Sequence, residues 1–221
     1  MQRRLFIGGA ALALIAGGSY IYSSRSQTSG PGLASVNAQE AGDIDTSGVK
    51  EMALGAEDAP VTMIEYASYT CPHCASFHEN VFGQLKADYV DTGKVRFVFR
   101  EVYFDQFGLL ASLIARCGGE ERYFGISDLI FERQREWLDS NDPAQITENL
   151  RAIGRSAGLS NEQLDSCIND REHATAMIAL YQQNATADDI TGTPSFVING
   201  QKYANMNYDD LREVLDEKIG G

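Results

Sequence analysis

An α/β fold with a block of helices inserted between its strands is predicted by three features of the sequence. The first is an apolar run, Val61–Ala67, that leads through Cys71-Pro72-His73-Cys74 into residues at helical spacing. The second is a change of period. Residues 95–101 alternate at period two, whereas apolar residues from about 107 to 187 recur at helical spacing. The third is a return to strand character at 194–198, followed by Asn199-Gly200, a pair that suits a two-residue hairpin. The predicted order is strand–helix–strand, a long helical insertion at about 105–187, then hairpin and helix.

Each element has a local reason. Val61–Ala67 is rich in residues that pack on a pleated sheet and predicts a buried strand. The helix after it runs from about 71 to 89. Asp91-Thr92-Gly93-Lys94 then makes a turn, with Gly93 suited to the left-handed conformation. In the helical block, Leu109, Leu110, Leu113 and Ile114 form one apolar stripe, and Leu129, Ile130, Trp137 and Leu138 another. Asp142-Pro143 is a cap and first-turn proline for a helix carrying Ile146, Leu150 and Ile153, which Gly158 ends. Ser160 and Gln163 have the spacing of a capping box for the helix of Leu164 and Cys167. Met177, Ile178 and Tyr181 mark a further helix, and 208–219 an amphipathic closing one. Such stripes are core, Trp137 included.

The chemistry sits in Cys71-Pro72-His73-Cys74. Thiols at i and i+3 on a first helical turn are neighbours, within the reach of a disulfide. The first sulfur also meets a helix N-terminus, whose unpaired N–H groups and dipole favour a thiolate. The unit is therefore suited to switching between dithiol and disulfide. Half of a zinc site is the competing reading, with His73 and His78 close by. The other two cysteines, Cys117 and Cys167, are single and fifty positions apart, unlike a second ligand pair. No metal or other cofactor is predicted. A purely structural Cys71–Cys74 bridge would close too short a loop to constrain the unfolded chain.

The N-terminus speaks for export. Arginines at 3 and 4 precede an apolar segment to residue 22, so 1–22 is a signal peptide or an N-terminal membrane anchor. A Gly/Ser/Ala-rich linker follows at about 23–47, and 48–221 is one domain, long enough for a single core. Net charge is −13, which argues against nucleic acid as a partner. In an exported chain Cys117 and Cys167 are candidates for a structural disulfide, the alternative being two buried free thiols.

The segment Glu65-Tyr66-Ala67-Ser68-Tyr69-Thr70-Cys71-Pro72-His73-Cys74, with Thr191-Gly192-Thr193-Pro194-Ser195-Phe196-Val197-Ile198-Asn199-Gly200 downstream, resembles the DsbA-like thiol–disulfide oxidoreductases of the thioredoxin superfamily. The resemblance covers about residues 50–221. It implies a thioredoxin-like fold with a helical insertion, and a cis peptide bond before Pro194 in a loop beside the cysteine pair. It implies that the Thr193 backbone pairs with extended substrate. Glu65 becomes a buried carboxylate that relays a proton to or from Cys74, where the residues alone would equally allow a strand-edge glutamate facing water. Cys71 is the attacking and attacked sulfur, Cys74 its buried partner, His73 a tuner of the thiolate, and Pro72 a stiffener of the turn. Pro-His between the cysteines resembles oxidases. Threonine before the cis-proline also resembles isomerases and reductases, but the stretch before Val61 is too short and linker-like for a dimerisation domain. The expectation is a monomeric periplasmic oxidase of reduced exported polypeptides, reoxidised by a quinone-linked membrane partner. An isomerase or reductase of the same fold, or a metal-binding module, is the alternative. His78 and His173 read as ordinary surface or core residues.

Overall fold

The computed structural model describes residues 44–220, so the proposed signal or anchor segment and nearly all of the linker lie outside the described residues. Among the described residues, five strands form one mixed sheet in the order β1-β3-β2-β4-β5. They are β1 (Met52–Leu54), β2 (Val61–Ala67), β3 (Val95–Glu101), β4 (Ser195–Ile198) and β5 (Gln201–Ala204). β2 and β3 run parallel from Val61↔Val95 to Ala67↔Glu101, and the other three pairings are antiparallel. Parallel neighbours need a crossover. It is supplied by one continuous helical stretch: α1 (Pro72–Phe77), a π-helical turn (His78–Phe82), α2 (Gly83–Leu85) and a second π-helical turn (Lys86–Val90).

β1 was not anticipated, because the segment before Val61 reads as linker. Three residues are too few to show a period. The strand exists because it covers the free edge of β3, with Met52 buried opposite Phe99. The chain leaves it through Gly55 at φ +91°, where a Cβ would come within 2.5 Å of the Val95 carbonyl oxygen. Between β4 and β5, Asn199 and Gly200 both take positive φ, 45° and 80°, the requirement of a type I′ turn.

Between β3 and β4 lie α3 (Gln106–Cys117), α4 (Gly119–Glu132), α5 (Gln134–Trp137), α6 (Pro143–Ser156), α7 (Asn161–Ile168) and α8 (Arg171–Ala187); α9 (Tyr208–Gly220) closes the chain. Asp142 caps α6, and Ser160 with Gln163 forms a capping box on α7. Leu109, Leu110, Leu113 and Ile114 do not make one stripe. Leu109 and Leu113 pack with Ala176 and Met177 of α8, whereas Ile114 joins the main core and Leu110 packs against it. A helix buried on two sides is the middle layer of the insertion.

The main core lies between one face of the sheet and these helices. Met63, Phe97, Phe99, Phe196 and Ile198 meet Phe77, Phe82, Leu85 and Ile130 there. Burying each such side chain contributes about 1.5–3 kcal/mol. Tyr66 and Val197 pack on the opposite face, with Tyr181 and Ile190. Among the described residues, no helix is long and apolar enough to cross a membrane.

Candidate active site

Cys71 is the N-cap of α1, with φ −82° and ψ 119°. Pro72 follows at the first helical position, where its missing N–H costs nothing. An N-cap side chain ordinarily accepts from the N–H groups two and three residues on. Cys71 places sulfur there; as a thiol it makes no capping hydrogen bond, and the N–H groups of His73 and Cys74 both favour its anion. The largest cause is the hydrogen bond with the Cys74 thiol. Together with the Thr193 side chain, these groups outweigh desolvation and push Cys71 down to about 5. Cys74 lies in the core with no exposed surface, and burial first, then its bond to Cys71 and the Glu65 charge, drive it far up. Two neighbouring thiols pushed apart in this way give one nucleophile or leaving group and one held proton. His73 is exposed, and its backbone N–H is the part of it that bears on Cys71.

The Thr193–Pro194 peptide bond is cis and stands immediately before β4. The Cys71 thiol donates to the Thr193 carbonyl at 3.5 Å. The Thr193 hydroxyl is buried, without a hydrogen-bond partner among the described residues, and it favours the anion of both cysteines.

The helical insertion grips the loop before Cys71. Gln134 is buried, and its amide nitrogen donates to the carbonyls of Tyr69 and Cys71 at 2.8 and 2.9 Å. Thr70 donates to Asp105 at 2.7 Å, while the other oxygen of Asp105 caps α3. Tyr69 donates to Ser127 at 2.9 Å. Nearby, Glu101 takes a two-pronged contact from Arg116 and a bond from Tyr123, all at 2.7 Å. Gln134 was missed in the sequence, since nothing local distinguishes it from a surface glutamine.

Glu65 is fully buried, opposite Phe99 on one neighbouring strand and Phe196 on the other. The reading of a strand-edge glutamate facing water is therefore excluded. His78 corrects a second expectation. It is not an ordinary surface or core residue: its side chain is 5% exposed and its Nε2 lies 3.0 Å from Glu65 Oε2. It begins the first π-helical turn, a feature common at functional sites. His173 is at the surface-facing start of α8. Cys117 and Cys167, at the ends of α3 and α7, are joined as a disulfide with Cα atoms 5.8 Å apart. Among the described residues, no three Cys, His, Asp or Glu side chains converge as metal ligands.

A family profile described as thioredoxin matches residues 47–217. A Rickettsia bellii protein provisionally named protein-disulfide oxidoreductase is 35% identical over 170 residues, covering 76% of this chain and 64% of that protein. The chain thus spans under two thirds of that relative's length. Disulfide bond formation protein D of Bacillus subtilis is 26% identical over 183 residues, with 76% and 77% covered. The structure of α-DsbA1 from Wolbachia pipientis superposes with a TM-score of 0.72 at 29% identity, covering 78% of this chain and 92% of that one. A sheet of this topology carrying a paired dithiol defines the class, a thioredoxin-like fold with a helical insertion. The chain belongs to the thioredoxin family, and it is similar in sequence and structure to disulfide bond formation proteins and DsbA proteins.

The Cys71 anion has a direct pH signature. Thiolate absorbance of the reduced protein is expected to rise with a midpoint near 5, and to be absent in Cys71→Ser. Between that value and the ordinary thiol value of 9.0, the unfolded chain binds the proton and the folded chain does not. The reduced form therefore gains stability as pH rises through this window, and loses it as pH falls through about 5. A melting-temperature difference between reduced and oxidised protein that stays flat from pH 5 to 9 would contradict this.

Proposed function

We propose that the protein is a dithiol oxidase that donates a Cys71–Cys74 disulfide to reduced polypeptides exported from the cell. The observation that carries this reading is the depressed Cys71 thiol, half-buried at a helix start, beside a Cys74 driven the other way. A low-pKa thiol leaves faster and stabilises the reduced form, so the disulfide is oxidising. A substrate thiolate attacks the Cys71 sulfur, and the S–S electron pair leaves on Cys74. The substrate's second thiolate then breaks the mixed disulfide and releases Cys71 as thiolate. Extended substrate aligns along the backbone of Thr193 beside Pro194. Pro72 stiffens the turn, and Glu65 relays the Cys74 proton. The protein acts as a monomer in the bacterial periplasm, soluble or held by its N-terminal segment. A quinone-linked membrane protein reoxidises it.

The reduction potential of the Cys71–Cys74 couple tests the direction. A value less negative than about −180 mV supports the oxidase, and one near or below about −270 mV makes the protein a reductant instead.

A further inference from the structure

We propose that His78 is a positioning residue: by donating from Nε2 to Glu65 Oε2, it reserves Oε1 of that carboxyl as the atom that exchanges a proton with Cys74. The inference deepens the reading above and rests on it.

The geometry leaves few choices. Glu65 has no exposed surface, one oxygen 3.0 Å from His78 Nε2, and the other, Oε1, with no hydrogen-bond partner among the described residues. The ring of His78 is packed among aromatic neighbours. Phe131 stacks on it at 4.1 Å and 17°, Phe82 lies at 4.7 Å, and Phe77 and Phe99 meet it edgewise. Its Nδ1 likewise has no partner among the described residues. A proton on Nδ1 would find no acceptor there, whereas one on Nε2 has Oε2. The tautomer is thus set by the carboxyl. Besides Glu65 from β2, the ionisable groups facing this region are Cys74 from α1 and Asp128 from α4, which interacts with His78 and with Lys86. The Glu65 charge raises the Cys74 thiol.

In reoxidation by a disulfide compound, Cys71 is first joined to one sulfur of that compound, and the other leaves as thiolate. Cys74 then attacks Cys71, its proton passes to Oε1, and the electron pair of the broken bond leaves on the remaining partner sulfur. When a substrate thiolate later opens the Cys71–Cys74 bond, Oε1 returns the proton to Cys74. In both directions the Nε2–H bond keeps Oε2 occupied.

The test uses oxidised glutathione and a reduced dithiol peptide as probes, with the full chain. His78→Phe is expected to slow closure of the Cys71–Cys74 disulfide at neutral pH by about tenfold, a part of the factor of about 10²–10⁴ that general acid–base catalysis supplies. It should displace the pH profile of that step and leave the Cys71 thiolate midpoint in place, a split that mere loosening of the core does not produce. His78→Gln, whose amide can donate to the same oxygen, should recover most of the rate. On the wild type, imidazole ¹⁵N resonances should report a proton on Nε2 in both redox states. Closure in His78→Phe at the wild-type rate, or a proton on Nδ1, overturns the proposal. Should His78→Phe fail to fold, the ¹⁵N spectrum decides. A wild type that exchanges with neither probe would instead sink the oxidoreductase reading itself.

Discussion

Cys74→Ser is expected to turn the protein into a trap, and Cys71→Ser into an inert fold. The half-buried Cys71 sulfur is an anion at neutral pH and can attack or be attacked. In Cys74→Ser it still joins a sulfur of the oxidising disulfide compound, but the neighbouring thiol that would displace that sulfur and close the internal disulfide is gone. Intramolecular attack carries effective molarities of about 10⁵ M or more, so resolution by outside thiols is far slower. Steady-state oxidation of a dithiol peptide should fall by about 10³-fold or more on this account. Mass spectrometry should then find the adduct on Cys71. In Cys71→Ser the remaining thiol, Cys74, is fully buried and held protonated. It should resist alkylation at pH 7 while the reduced wild type is modified promptly. Turnover by Cys71→Ser, or a Cys74→Ser that accumulates no adduct, would contradict the roles assigned to the pair.

Replacing Cys117 and Cys167 together by Ala is expected to destabilise the fold strongly. The pair closes a loop with a sequence separation of 50. Releasing that constraint on the unfolded chain is worth about 4 kcal/mol in the chain-entropy model. For a domain of this size, that corresponds to a melting temperature lower by roughly 8–16 °C. The fold is sensitive here for a local reason. α7 is eight residues long and buries Leu164 alone among its side chains. Helices this short are marginal by themselves, so α7 depends on its capping box and its tether to α3. Calorimetry on the double variant checks the point. An unchanged melting temperature would mean that packing of Leu164 against α3 and α6 already holds α7.

Much of the architecture could be read along the chain. β2, β3, the hairpin and the caps at Asp142 and Ser160 each rest on residues within a few positions of one another. So does the placing of Cys71 where a strand gives way to a helix. β1 escaped notice because its partner, β3, lies more than forty positions away, and three residues carry no period. The stripe on α3 was misjudged because one apolar run can serve two layers, and period alone does not count layers. Gln134 and His78 were missed for a related reason. Their partners, the Cys71 carbonyl and the Glu65 carboxyl, come from other elements, 63 and 13 positions distant.

What the sequence determined by itself was the local grammar: where helices and strands begin, and that two thiols share the first turn of a helix. How those thiols differ follows from the packing around them. Cys71 is lowered by groups converging from its helix and from Thr193, 122 positions away; Cys74 is raised by burial under a sheet that carries a hidden carboxyl. Periodicity reports which face of an element is apolar. It does not report which polar atoms meet inside, because those contacts exist only once the layers have closed.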